Sequence, residues 1–180
     1  MSKIALTFEA VGKNNWPDLE QLFESKGGPH SCWCMVWRNM KPQSNRSKKQ
    51  DKKDSLKKYV EDKSPIGILC YHDSSPIAWC SIAPRHSYRE LGGDTKLENV
   101  WSLVCFFIKK GFRRQGIQER LLLAAEQYAF KNGAKYIEAY PVLKDSPSYR
   151  FMGFTTTFEN LEYKHSHQVG KRRFVMFKKL

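Results

Sequence analysis

The sequence predicts a mixed α/β sandwich, a central sheet covered by helices. Three observations carry that expectation. Val100–Ile108 is an almost continuous apolar run, the pattern of a strand covered on both faces. Ile117, Leu121, Ala124 and Tyr128 recur at three- to four-residue spacing, marking an amphipathic helix that stops at Asn132-Gly133. Around this pair the chain reads strand–helix–helix–strand–strand–strand–helix–strand–turn–strand–strand, an order that describes one mixed α/β layer structure.

Each element has its own signal. Residues 3–9 read as a first strand. Asn15 is placed as the N-cap of a helix through Trp16, Leu19, Leu22 and Phe23, which Gly27-Gly28-Pro29 stops. Residues 50–63 form an exposed helix anchored by Leu56, Tyr59 and Val60, and Pro65 lies just past its end. Strands at 66–71 and 76–83 flank the hairpin turn His72-Asp73-Ser74-Ser75. Residues 84–98 are a polar loop containing Gly92-Gly93. After the helix at 117–131 come a strand at 135–140, a turn over 147–152 stopped by Gly153, and strands at 155–162 and 172–178. No repeat or linker interrupts the chain, so residues 1–180 are expected to form one domain.

Composition narrows the function classes. Eleven Phe, eight Tyr and five Trp supply a sizeable core, which argues against extensive disorder. No apolar run reaches the roughly 18 residues of a membrane span. Residues 1–9 meet an acid too early for a secretory leader, so a cytoplasmic location is expected. Five cysteines, three of them in apolar strand-like runs, fit free thiols in a reducing compartment. The net charge of +13 is concentrated at 41–63, at 109–114 and near the C-terminus, and favours anionic partners.

The informative segment is the strand Val104-Cys105-Phe106-Phe107-Ile108, a basic loop, and Gly116 opening a helix. A helix start carries amides without partners and a partial positive charge. Gly116 lacks the Cβ that would block a phosphate, and Arg113 and Arg114 sit beside it. A pyrophosphate-bearing ligand suits such a site; a basic, solvated helix start is the alternative that spacing alone leaves open.

Arg113-Arg114-Gln115-Gly116-Ile117-Gln118 resembles the Arg/Gln-x-x-Gly-x-Gly/Ala signature of the GNAT acetyltransferases, and Tyr149-Arg150-Phe151-Met152-Gly153-Phe154 resembles that family's Tyr-x-x-x-Gly-Phe close. Gln118 departs from the signature, standing where the family has a small residue. Cys32-Trp33-Cys34 with Trp37-Arg38, Ala78-Trp79-Cys80-Ser81-Ile82-Ala83-Pro84-Arg85 and Glu138-Ala139-Tyr140-Pro141 are similar to strings of an uncharacterised bacterial-type subgroup. The resemblance implies a GNAT fold, with a mostly antiparallel sheet splayed at the cofactor site. It implies acetyl-CoA as co-substrate and an amine as acceptor. The backbone of Phe106, Phe107 and Ile108 would pair with the pantetheine arm. The amides of Arg113, Arg114, Gln115, Gly116, Ile117 and Gln118 would cradle the pyrophosphate.

Attack of an amine on a thioester needs a neutral amine, an oxyanion donor and a proton for the thiolate. Tyr149 matches the family tyrosine that protonates the sulfur, with cofactor packing as its alternative role. Glu138 is the candidate base on the strand flanking the gap; His30 and His86 are further candidates. Trp33, Met35 and Trp37 are expected to wall the acceptor pocket, or else to pack in the core; an aromatic wall suits a ring-bearing or cationic acceptor. Cys32 and Cys34 lack a second spaced ligand pair, so no metal is expected. Nucleic acid is disfavoured because the 41–63 run has almost no interleaved aromatics and no recognisable binding motif. A ribosome-associated role, a non-catalytic coenzyme A-binding module and a homodimer are left open.

Overall fold

The computed structural model of the protein describes residues 4–180. Strands β1 (Thr7–Ala10), β2 (Ile68–His72), β3 (Ser75–Pro84), β4 (Val100–Ile108), β5 (Tyr136–Ala139), β6 (Lys164–Val169) and β7 (Arg173–Lys179) form one sheet in the order β1-β2-β3-β4-β5-β7-β6. Only β4 and β5 are parallel; every other neighbouring pair is antiparallel. Helices α1 (Trp16–Glu24) and α2 (Lys49–Glu61) cover one face, and α3 (Ile117–Lys131) with the short α4 (Thr155–Glu159) covers the other.

Alternation along β3 and β4 sorts side chains between two cores. Leu69, Trp79 and Val104 pack under α1 and α2 with Trp16, Phe23 and Trp33. Ile68, Cys80, Leu103 and Phe106 pack under α3 with Leu121, Leu122 and Ala125. Burial on both faces explains why β3 and β4 read as unbroken apolar runs rather than alternating ones.

The turn between β2 and β3 places Asp73 and Ser74 at φ 46° and 63°, as a tight hairpin with matching twist requires. Asn15 occupies the N-cap position of α1, but its side chain does not cap the helix. Its Oδ1 accepts the Gly12 N–H at 2.8 Å and its amide donates to the Ala10 carbonyl at 3.1 Å, closing the turn after β1. The first strand begins at Thr7; Lys3, at the start of its expected range, lies outside the described residues.

The strand expected at 155–162 is the main correction. Thr155–Glu159 is helical, and the strand begins only at Lys164. Three threonines favour a strand locally, but Thr155 and Phe158, three residues apart, are both buried, and a helical turn puts them on one face. The strand that follows, Lys-His-Ser-His-Gln-Val, is a mostly exposed edge with no apolar face to announce it.

Candidate active site

The sheet is split at its centre. β5 pairs with β4 only from Val100↔Tyr136 to Leu103↔Ala139, while β4 runs on to Ile108. A bulge at Val104 shifts the register against β3, where Ser81 pairs with Cys105 and Ile82 with Leu103. Beyond Ala139 the chain turns away: Phe174 N–H donates to the Pro141 carbonyl at 2.9 Å, and Val142 bridges Arg173 and Phe154. The backbone of Val104–Ile108 therefore borders a gap with no strand on that side. This includes Phe106, Phe107 and Ile108, the expected pantetheine edge.

The basic loop ends at the mouth of α3. Arg114 and Gly116 adopt φ 62° and 70°, alternating the backbone so that successive amides turn toward one side. The first backbone bond into α3 is Arg120 N–H to Gly116 C=O at 3.2 Å. From Arg114 through Glu119, spanning Gln115, Gly116, Ile117 and Gln118, no amide has a backbone partner among the described residues, and none of their side chains caps the helix. A Cβ added at Gly116 would meet nothing within 4 Å, so the space over these amides is open. Arg113 and Arg114 are exposed beside it; Arg113 Nε donates to the Ile108 carbonyl at 2.9 Å and pins the loop to the end of β4. Free amides, open space and two cations fit a diphosphate. Gln118 is accommodated by Gly153: a Cβ there would lie 3.2 Å from Gln118 Nε2 and 2.8 Å from the Phe158 ring, and φ is 89°.

The opposite side of the gap is made of side chains. Tyr149 is 37% exposed, holds φ 59°, and faces Trp37 with ring centroids 6.2 Å apart. Of the three residues expected to wall the acceptor pocket, only Trp37 reaches this surface. Trp33 and Met35 are fully buried, Trp33 stacked on Trp16 at 5.9 Å and against Phe23 at 5.2 Å, so they belong to the core. The cation position over Trp37 is filled by the protein itself, with Arg173 Cζ 4.5 Å from the ring centroid.

Glu138 is wholly buried. Its Oε1 accepts the Asp94 N–H at 2.7 Å; its Oε2 accepts Tyr140 Oη at 2.7 Å and lies 3.4 Å from Arg85 Nη1. Because Tyr140 gives its one proton to the carboxylate, Ser102 Oγ, 2.9 Å away, donates to Tyr140. Burial, and then the charge of Glu138, push the Tyr140 hydroxyl well above its ordinary range. Gly93 lies so close that a Cβ there would run into the carboxylate. Tyr140 is itself fully buried, so the carboxylate is enclosed by Tyr140, Arg85 and the Asp94 amide. His30 and His86 are exposed on turns.

The cysteines are free. Cys34 Sγ lies 3.2 Å from Cys105 Sγ and accepts Trp79 Nε1–H at 3.2 Å. The contact with Cys105, reinforced by burial, pushes the Cys34 thiol well up, which makes it a poor nucleophile. A surface groove of about 770 Å³ between Asn39–Ser44 and α2 is separate from the gap and lined by charges of both signs.

A sheet parted at its centre, with free amides at the following helix start, defines the architecture of coenzyme A-dependent acyltransferases. The family comparison agrees: the profile of the acetyltransferase (GNAT) family matches residues 29–154, and the chain belongs to that family. No curated protein matches the chain. Solved structures share the fold. The PaiA N-acetyltransferase of Thermoplasma acidophilum in complex with coenzyme A aligns over 98% of this chain and 100% of its own at 16% identity, with a TM-score of 0.62. An uncharacterized protein of Bacillus halodurans aligns over 97% and 83% at 15% identity and 0.65. The ribosomal-protein-alanine N-acetyltransferase of Brucella melitensis aligns over 97% and 99% at 12% identity and 0.60.

Proposed function

We propose that the protein transfers an acetyl group from acetyl-CoA to a primary amine of a small molecule or peptide by direct attack. The observation that carries this reading is the junction of two features: the free edge of β4 beyond Leu103 and the unpartnered amides from Arg114 to Glu119. The thioester supplies the activated acyl group. The β4 edge at Phe106, Phe107 and Ile108 offers backbone groups to an extended arm, as one strand does to another. The loop from Arg113 to Gln118 holds the diphosphate.

Tyr149 is the general acid of this reading. In this reading the hydroxyl of the partly exposed Tyr149 gives a proton to the departing thiolate. Glu138 is a positioning residue: through Tyr140, Arg85 and the Asp94 amide it holds the strand and loop on the acceptor side. Orientation of the amine against the thioester then supplies a large share of the acceleration.

The test is release of free thiol from acetyl-CoA in the presence of a panel of primary amines. The expected result is amine-dependent release with one acetyl-amine formed per thiol. Tight binding of acetyl-CoA with no release across the panel would instead favour a coenzyme A-binding module without turnover.

A further inference from the structure

We infer that the acceptor amine also carries an oxyanion, a carboxylate or a phosphate, and that Arg173 holds this group beside Tyr149. The inference rests on the acetyltransferase reading and adds the chemical class of its second substrate.

Arg173 opens β7, at the point where that strand leaves β5 and bridges Val142, on the segment leading to Tyr149. Its guanidinium lies 4.5 Å from the Trp37 ring centroid and 5.8 Å from that of Tyr149. Two rings thus flank it. It is half-buried, yet among the described residues only Nη1–H of its five donor hydrogens has a partner, the Leu91 carbonyl at 3.3 Å. Among the described residues, no carboxylate lies within ion-pair distance of it. Desolvation lowers its pKa, but a guanidinium starts high enough to stay charged at neutral pH. A fixed, partly desolvated cation with free donors and no counter-charge is an arrangement that a ligand oxyanion completes.

The surroundings point the same way. Arg172 Nη1 donates to Ser148 Oγ at 2.7 Å, next to Tyr149, and Arg89 Nη1 reaches only the Val36 carbonyl at 3.4 Å. The nearby acids are committed elsewhere. Glu90 accepts the Gly92 N–H at 2.8 Å, Asp94 accepts the Lys96 N–H at 3.0 Å and Ser166 Oγ–H at 3.2 Å, and Glu138 faces Arg85 and Tyr140. Among the described residues, a simple alkylammonium that reaches Arg173 finds no carboxylate paired with that cation. An amine with its own negative group is attracted, and the neighbouring cation lowers the ammonium pKa toward the neutral, attacking form. Arg173 lies outside residues 29–154, the stretch the family profile matches.

The test uses the full-length protein and matched amines: an amino acid against its C-terminal amide, an amino sugar against its phosphate ester. Binding is measured by calorimetry with coenzyme A present, and kcat/KM by thiol release. The anionic member of at least one pair should win by about tenfold or more, and the winning pair tells carboxylate from phosphate. Added salt should narrow the gap. Arg173→Gln should erase the preference while acetyl-CoA affinity is retained, and Arg173→Lys, which keeps charge but not the fork, should restore part of it. Equal or better behaviour of the neutral member in both pairs, no binding of either anionic amine, or a preference that survives Arg173→Gln would each overturn the inference. The comparison on the unmutated protein decides even if a variant does not fold. Acetyl-CoA binding on the same samples shows separately whether the cofactor reading stands.

Discussion

The two sides of the gap are built by different means. On the proposed cofactor side, the features offered to a ligand are backbone: a strand edge from Val104 to Ile108 and a row of amides from Arg114 to Glu119, oriented by positive φ at Arg114 and Gly116. On the proposed acceptor side they are mainly side chains from distant segments, with Trp37, Tyr149 and the Leu91 carbonyl meeting around the Arg173 guanidinium. Backbone recognition tolerates changes of side chain and fails when the path of the chain changes. Side-chain recognition does the reverse. A common donor site can therefore serve many acceptors.

The largest expected effect follows from the backbone side. Gly116→Glu introduces a Cβ and a negative charge over the free amides, at φ 70°, and should raise the Kd for acetyl-CoA by at least about 100-fold with the fold intact. Retained binding with native circular dichroism would place the anion site elsewhere.

On the acceptor side, Tyr149→Phe keeps the ring against Trp37 and removes the proposed proton donor. Turnover should fall by about 100- to 10,000-fold, with the KM for acetyl-CoA little changed. Near-normal kcat would reduce Tyr149 to a packing residue and leave the donor side untouched.

Glu138→Gln sharpens the comparison between chemistry and support. It keeps the shape but removes the charge that Arg85 and the Asp94 amide meet, so stability should drop by about 2 kcal/mol. For a chain of this size that is roughly 5 °C in Tm. A fall in kcat of about 100-fold at unchanged Tm would instead make the carboxylate the base itself.

The smallest effect lies away from the gap. Lys53 pairs with Glu20 at 2.8 Å and Glu24 at 3.0 Å, and its hydrogen bond to Glu20 lowers that carboxyl's pKa. A lowered folded-state pKa gives stability that is present above the unfolded value, about 4.3, and lost as pH falls through the folded one. Glu20→Gln should therefore cost less than about 1 kcal/mol at neutral pH and nothing in strong acid, as followed by urea unfolding.

The same contrast explains what the sequence discloses. β4, α3 and the Arg113–Gln118 loop are legible because each depends on neighbouring residues: a continuous apolar run, a three- to four-residue period, a glycine at a helix start. Identical apolar side chains in residues 30–40 do not reveal which are buried; Trp33 packs in the core while Trp37, four residues on, borders the site. Arg173 carries no local signal, since its side-chain hydrogen bond spans 82 residues and its aromatic contacts come from two other segments. Thr155–Glu159 was readable as strand from its threonines, and only the core that Phe158 enters makes it a helix. The carboxylate of Glu138 looks free on paper because Arg85, Gly93 and the Asp94 amide arrive from a loop more than 40 residues away.

The central claim is that the split sheet and the amides at Gly116 bind an acyl-coenzyme A. Calorimetric titration of the unmutated protein with acetyl-CoA tests it most directly. The expected result is a single site with a Kd in the low micromolar range or below, about −8 kcal/mol, weakening as salt rises because the phosphates supply much of the attraction. No heat and no thermal shift at millimolar acetyl-CoA would contradict it.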